Sequence, residues 1–158
     1  MASLASSDPE VTSPAPLESP SGDGASRTPI IPSHEASGRI TDVGADVVGY
    51  ARGDEVFALI PFDKDGAAAE FAVLPSNCAA HKPANIDHAS ASALPLAALT
   101  AWQALVDHAH INADSRILVH GAAGAVGQFA VQIAKLLGAH VTATARGKDA
   151  PLLDLLGA

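Results

Sequence analysis

Residues 117–127 read ILVHGAAGAVG, a short apolar run that passes directly into a glycine-rich loop. The run is long enough for a buried strand and too short for a helix. After the loop, apolar residues recur at helical spacing up to residue 137, and Gly138 then ends the predicted helix. Residues 140–144 predict a second strand. The order strand, glycine turn, helix and strand within about 30 residues is the setting that a dinucleotide-binding fingerprint requires.

The glycine pattern of this loop has a physical basis. Aligned on its last two glycines, it matches G-x-G-x-x-G with alanine in the first glycine position. The middle glycine would let the backbone approach a pyrophosphate, and the last would let the helix pack closely on the strand. The N–H groups at the helix start carry partial positive charge and would face the phosphates. The alternative is a tight turn without a ligand. The predicted cofactor-binding loop consists of Ala122, Ala123, Gly124, Ala125, Val126 and Gly127.

Two other phosphate-binding or nucleic-acid-binding loops fit this sequence less well. A P-loop would end in Gly-Lys-Ser/Thr, but Gln128 and Phe129 follow Gly127. A G-x-x-G loop that clamps RNA would need a basic surround. The chain instead has 9 Lys and Arg against 17 Asp and Glu, for a net charge of −8. This acidic balance argues against a nucleic-acid partner.

The end of the second predicted strand bears on the choice of cofactor. NAD-binding proteins place an Asp or Glu about 20 residues past the glycines, where it accepts a hydrogen bond from the ribose 2′-hydroxyl. This chain has Thr144, Arg146 and Lys148 in that region, and no acid before Asp149. Arg can hold a 2′-phosphate through two parallel hydrogen bonds, and Lys can add a point charge. The sequence therefore predicts NADPH, and the alternative is a solvated turn.

Four stretches, the last of them within the glycine-rich loop already described, occur in a recognisable order: GDEVFA (53–58), DGAAAEF (65–71), ALPLAALTAW (93–102) and VHGAAG (119–124). In order and spacing they resemble the medium-chain dehydrogenase/reductase family, and within it the zinc-independent quinone reductase branch. The resemblance covers residues 30–158. It implies an α/β fold, with a partial GroES-like β-barrel followed by the first βαβ unit of a Rossmann fold.

The same resemblance implies a function. Members of that branch are NADPH-dependent oxidoreductases, which transfer hydride to a small-molecule quinone or to an α,β-unsaturated carbonyl such as an enone. Thr100 would lie near the nicotinamide; from the residues alone it is a hydroxyl inside a helix. A homodimer is expected only for a complete chain. No catalytic proton donor can be named.

The residues between the ends agree with this reading. Short strands are predicted at 39–43, 55–60 and 69–74, separated by polar turns, which is typical of a small barrel. An alanine-rich helix is predicted from His88, and Pro95 should kink or break it.

Three segments are predicted: a disordered Ser/Pro-rich segment at 1–29, a partial GroES-like substrate domain at 30–92, and an incomplete Rossmann cofactor-binding domain at 93–158. Compared with the family, both ends look truncated. A non-catalytic remnant or interaction protein that keeps the nucleotide-binding loop is therefore the first alternative. No secretory signal and no apolar run of about 18 residues occurs, so a cytoplasmic location without a membrane partner is expected.

A catalytic zinc site, as in the alcohol dehydrogenases that share this scaffold, needs three protein ligands from Cys, His and Asp or Glu. The chain has one cysteine, Cys78, so it cannot supply a four-cysteine structural site. The family's His-Glu pair is present as His34 and Glu35, but Ser33 replaces the glycine that usually precedes it. Leu96 stands where the family's cysteine ligand falls. The sequence predicts no metal site, and an alcohol dehydrogenase-like enzyme is the second alternative.

Overall fold

The structure is a computed structural model that describes residues 2–5 and 30–158. The chain divides into two compact units, Met1–Pro95 and Leu96–Ala158. The first contains β1 (Ala2–Ala5), β2 (Glu35–Val43), β3 (Glu55–Leu59), β4 (Phe71–Leu74), β5 (Ala79–His81) and α1 (His88–Ser92). Next come α2 (Pro95–Trp102), β6 (Arg116–His120), α3 (Ala125–Leu136), β7 (His140–Thr144) and α4 (Ala150–Leu156). The predicted α/β class is confirmed.

The strands of the first unit form one sheet in the order β4-β1-β2-β3-β5, and all of its pairs are antiparallel. Buried and more exposed residues alternate along β3 and β4, as expected when one face of a sheet covers a core. Among the described residues the sheet is open, with β4 and β5 at its edges. Its buried core consists of Ile40, Val56, Ala58, Ile60, Ala72 and Leu74.

Strand β1 corrects part of the prediction for the first 29 residues. Residues 2–5 pair with both β2 and β4, although disorder was predicted for the whole of 1–29. The partners lie far along the chain, so they supply backbone hydrogen bonds that local composition does not reveal. Residues 6–29 lie outside the described part of the chain, and disorder there stays a prediction.

The helical stretch between the two sheets is interrupted as predicted at Pro95. Helix α1 ends at Ser92 and α2 begins at Pro95, where the missing N–H of proline costs nothing. The carboxylate of Asp87 caps α1 by accepting a hydrogen bond from the N–H of Ser90 at 2.7 Å. After α2 the chain continues as a π-helical segment, Gln103–His108.

The second unit contains the predicted strand-loop-helix-strand arrangement. Strands β6 and β7 are parallel, with Arg116 opposite His140 and His120 opposite Thr144. Residues on one face of the β6–β7 sheet pack with α3 and α4 around a core of Ala122, Val131 and Leu153. None of the helices in the described part of the chain has the length and apolar character of a membrane span.

Candidate cofactor site

The loop between β6 and α3 starts with a backbone reversal at Gly121. Its φ is +66°, a left-handed conformation that glycine adopts without the steric cost of a Cβ. The N–H of Gly124 then donates to the carbonyl oxygen of Gly121 at 2.9 Å and closes a tight turn. Aligned on its last two glycines, the sequence pattern predicts Ala122 in the first glycine position. The conformational demand for glycine lies one residue earlier, at Gly121, which was not among the predicted site residues.

Ala122 and Gly127 hold the loop against the helix. Ala122 is fully buried, and its N–H donates to the carbonyl oxygen of Thr144 at 3.0 Å. A Cβ on Gly127 would lie 2.6 Å from both the Cα of Ala122 and the carbonyl oxygen of Gly121. A Cβ on Gly124 would meet only the Gly121 oxygen, at 3.2 Å. Gly127 is therefore required for packing, whereas Gly124 borders open space.

The start of α3 leaves backbone donors available. Gly124 is the N-cap residue and no side chain caps the helix. The first helical hydrogen bond runs from the N–H of Gln128 to the carbonyl oxygen of Gly124 at 3.0 Å, so the N–H groups of residues 125–127 have no acceptor within the helix. No acidic residue stands in this first turn. The Gln128 side chain fixes the loop by donating from Nε2 to the carbonyl oxygen of Ala123 at 2.9 Å.

Three predicted cofactor-binding residues, Thr144, Arg146 and Lys148, lie at or just after the carboxyl end of β7. This is the same edge of the sheet as the glycine loop, because β6 and β7 are parallel. Thr144 contacts the loop through its carbonyl, and its Oγ1 lies 3.0 Å from Nδ1 of His120. The Arg146 side chain is 75% exposed, and its Nε donates to Oδ2 of Asp149 at 3.0 Å. Lys148 is exposed and forms no ion pair within the described chain.

Thr100 is not joined to the loop by any hydrogen bond of the described residues. Its Oγ1 donates to the carbonyl oxygen of Leu96 at 2.7 Å, inside α2. The hydroxyl of Thr100 thus has its hydrogen-bond acceptor within its own helix. Its predicted place near the nicotinamide stays a prediction.

In the first unit, the His-Glu pair lies in a strained segment. Ser33 has a φ of +67°, which explains why glycine suits this position. The His34 ring lies against the Phe62 ring in a tilted arrangement, with centroids 4.7 Å apart, and among the described residues its buried Nδ1 has no hydrogen-bond partner. Within the residues that the structure describes, no three or more His, Cys, Asp or Glu side chains form a group that could hold a metal ion.

A polar cluster in the first unit joins β2, β3, α1 and Lys82, the residue after β5. The Glu55 carboxylate lies 3.2 Å from Nζ of Lys82, 2.7 Å from Nη2 of Arg39 and 3.7 Å from Nε2 of His88. The hydrogen bond from Lys82, followed by the charges of Lys82, Arg39 and His88, lowers the pKa of the Glu55 carboxyl. Burial acts in the opposite direction and is outweighed. These contacts link β2, β3 and α1 with the residue that follows β5.

Comparisons with known proteins give a consistent result. Residues 2–84 match the alcohol dehydrogenase GroES-like domain, so the match begins earlier than residue 30, where the resemblance was expected to begin. The chain is 41% identical over 134 residues to a mitochondrial NAD(P)H oxidoreductase of Danio rerio, covering 82% of this chain and 35% of that protein. It is 38% identical over 135 residues to the chloroplastic quinone-oxidoreductase QR1 of Triphysaria versicolor, covering 82% and 41% respectively.

Among solved structures, the CurK enoyl reductase superposes with a TM-score of 0.77 at 37% identity, covering 84% of this chain and 39% of that one. The chain thus spans less than half the length of each of these three proteins. Because the GroES-like domain match covers more than half of its residues, the chain belongs to the alcohol dehydrogenase GroES-like domain family, and with it to the medium-chain dehydrogenases/reductases.

Proposed function

We propose that this chain binds NADPH as part of an oxidoreductase that transfers hydride to a quinone or an α,β-unsaturated carbonyl. The observation that carries the proposal is the cradle formed by Gly121, Gly124 and the uncapped start of α3. Gly121 turns the chain, and Gly124 leaves space where a side chain would otherwise project. Ligands of α/β sheets bind outside the carboxyl ends of the strands, which is where this cradle lies.

The chain's own groups fit a pyrophosphate. The N–H groups of residues 125–127 lack acceptors inside the helix, and the positive end of the α3 dipole is not neutralised by an acid in the first turn. Ala123 and Ala125 have side chains too small to obstruct a ligand. Gly127 contributes indirectly, because it allows α3 to begin so close to the loop.

Arg146 and Lys148 support NADPH over NADH. The ion pair with Asp149 uses only Nε of Arg146, so both Nη groups remain for a phosphate. The contact also fixes the guanidinium near the turn, which reduces the entropy lost when a ligand binds. Lys148 can add a flexible positive charge.

The reaction class follows from the cofactor and from the relatives. A bound dihydronicotinamide supplies a hydride, and the surrounding protein orients it and excludes side reactions. Proteins similar to this chain are named quinone oxidoreductase and enoyl reductase, which supports a conjugated acceptor. Leu96 in place of the family's cysteine ligand supports chemistry without zinc.

Two alternatives are favoured by particular observations. The small share of each relative that the chain covers favours a non-catalytic chain that binds the nucleotide only. The His34-Glu35 pair favours an alcohol dehydrogenase-like reaction. The predicted cytoplasmic location stays a prediction, since the relatives' names place those proteins in mitochondria and chloroplasts.

Titration of the purified chain with NADPH tests the proposal. Binding is followed by cofactor fluorescence, and turnover by loss of the reduced cofactor's absorbance on addition of a small benzoquinone. The Gly124→Val variant is the matched control. Binding with turnover supports the proposed oxidoreductase, and binding without turnover of either a quinone or an enone supports the non-catalytic alternative. Absence of binding to the folded chain contradicts both.

A further inference from the structure

His120 and Thr144 are the last paired residues of the two parallel strands. They lie opposite each other in register, and Nδ1 of His120 is 3.0 Å from Oγ1 of Thr144. The N–H of Gly121 also points at that hydroxyl oxygen, at 3.4 Å. The same threonine accepts the N–H of Ala122 at its carbonyl, 3.0 Å away. One residue of β7 is therefore bonded to three consecutive residues at the start of the glycine loop.

The hydrogen bonds of the Thr144 hydroxyl depend on the protonation of His120. A hydroxyl has one proton to donate and two lone pairs that accept. When Nδ1 of His120 carries a proton, it donates to Oγ1, and with Gly121 as second donor the hydroxyl proton is free to point outward. When Nδ1 is unprotonated, it takes the hydroxyl proton as an acceptor. An imidazolium has protons on both nitrogens, so it always produces the first arrangement.

In the proposed cofactor site, His120 and Thr144 lie at the end of the sheet where the adenosine ribose would be recognised. Both are exposed, on the strand face opposite the packed core, at the carboxyl edge of the sheet. Arg146 follows Thr144 by two residues and is the proposed 2′-phosphate ligand. The other charged or titratable groups on this face, Arg116 and His140, stand at the opposite end of the strands. In the described chain no ion pair from α3, α4 or the Arg146–Asp149 turn reaches His120.

We propose that His120 is a positioning residue for the 2′-phosphate of the cofactor and acts through Thr144. This inference rests on the proposed NADPH-binding function. Protonated His120 turns the Thr144 hydroxyl outward as a donor and adds a positive charge at the end of the sheet, where Arg146 and Lys148 follow Thr144 in the sequence. Both changes favour a phosphate dianion over a ribose hydroxyl. His120 thus makes the preference for NADPH over NADH dependent on pH.

The test measures Kd for NADPH and for NADH between about pH 8 and about pH 6, the range in which an imidazole ordinarily changes charge. Wild type is compared with His120→Asn and with Thr144→Val. The amide of Asn can still donate to Oγ1 but cannot gain a charge, and Val keeps the shape of Thr without its hydroxyl. The 2′-phosphate itself changes ionisation in this range, so variants are compared at equal pH.

On acidification, the NADPH preference of wild type should rise by about 10-fold relative to His120→Asn, the size expected for one charge-assisted hydrogen bond. Thr144→Val should lower the preference for NADPH over NADH at every pH. It should also weaken the pH dependence that His120 gives to this preference. Thermal unfolding of each variant shows whether the fold is kept. Parallel pH profiles for wild type and His120→Asn would overturn the inference while leaving the proposed function intact. Absence of binding of both cofactors to wild type would overturn both.

Discussion

Gly127 of α3 lies so close to Ala122 that a Cβ on the glycine would be 2.6 Å from the alanine Cα. The contact is with backbone atoms, which cannot rotate away as the end of a long side chain can. The helix and the end of β6 would therefore have to separate. This contact determines how near the start of α3 can come to the carboxyl edge of the sheet, and hence where its free N–H groups lie.

We expect Gly127→Ala to destabilise the chain by about 1–3 kcal/mol, the usual cost of overpacking a close contact. The free energy of unfolding in urea measures this change. Gly147→Ala is the matched control, because a Cβ there would meet nothing within 4 Å. Equal stability of the two variants would show that α3 can move away without cost.

Gly124→Val should instead act on the ligand. Its Cβ would touch only the Gly121 oxygen, at 3.2 Å, so the fold should yield slightly while the side chain enters the space proposed for the pyrophosphate. NADPH binding should be lost, with a much smaller change in unfolding free energy than in the Gly127 variant. Unchanged NADPH affinity in a folded Gly124→Val chain would remove this loop from the cofactor site.

The comparison of these glycines shows what the sequence could predict. The predicted strand at 140–144 coincides with β7, and the predicted helix agrees closely with α3, because a short β-branched run specifies the strand and helical periodicity with a terminal glycine specifies the helix. The role of Gly121 could not be read from the pattern, since it depends on a φ of +66°. A glycine directly after a predicted strand was the available signal.

Long-range contacts account for the other differences. Strand β1 is specified by partners in β2 and β4 that lie tens of residues away, so its local Ser-rich composition predicted disorder. Arg146 and Asp149 were separately visible in the sequence, but their ion pair depends on the turn that follows β7. The unpartnered Nδ1 of His34 likewise depends on the packing of distant segments.

Ser33 gives a prediction on backbone strain. Its φ of +67° costs an L-residue about 1–2 kcal/mol, which glycine avoids. We expect Ser33→Gly to be more stable than Ser33→Ala by about 1 kcal/mol, the reverse of the usual order. Thermal and urea unfolding measure the difference. Ala80→Gly in β5 is the control and should destabilise in the usual direction. A Ser33→Gly chain less stable than Ser33→Ala would show that the segment relaxes.

Acid should weaken the first unit through Glu55. Lys82 above all, with Arg39 and His88, holds the pKa of the Glu55 carboxyl below its usual value of 4.5. A lowered folded-state pKa contributes stability that is present above about pH 4.5 and is lost as pH falls through the folded value. The melting temperature of wild type should therefore exceed that of Glu55→Gln at neutral pH. The gap should narrow below pH 4.5, and a gap that stays constant on acidification would contradict this assignment.

The choice of cofactor can be tested at Arg146. If its free Nη groups hold the 2′-phosphate, Arg146→Ala removes a charge-assisted contact worth about 1.5–3 kcal/mol, a loss of NADPH affinity of about 10- to 150-fold. NADH lacks this phosphate, so its Kd should hardly change. Lys148→Ala should act in the same direction but more weakly, because its ammonium is flexible and well hydrated.

Asp149→Asn separates the two roles of the ion pair. Removing the carboxylate frees the guanidinium from a competing negative charge, but it also releases the side chain from its fixed position. At low salt we expect tighter NADPH binding in this variant, with NADH unaffected, and raised salt should reduce the gain because exposed charges are screened. Isothermal titration of both cofactors provides the measurement.

For the Arg146→Ala variant, equal losses of NADPH and NADH affinity would mean that Arg146 supports the turn rather than the phosphate. The NADPH assignment would then rest on Lys148 and His120 alone.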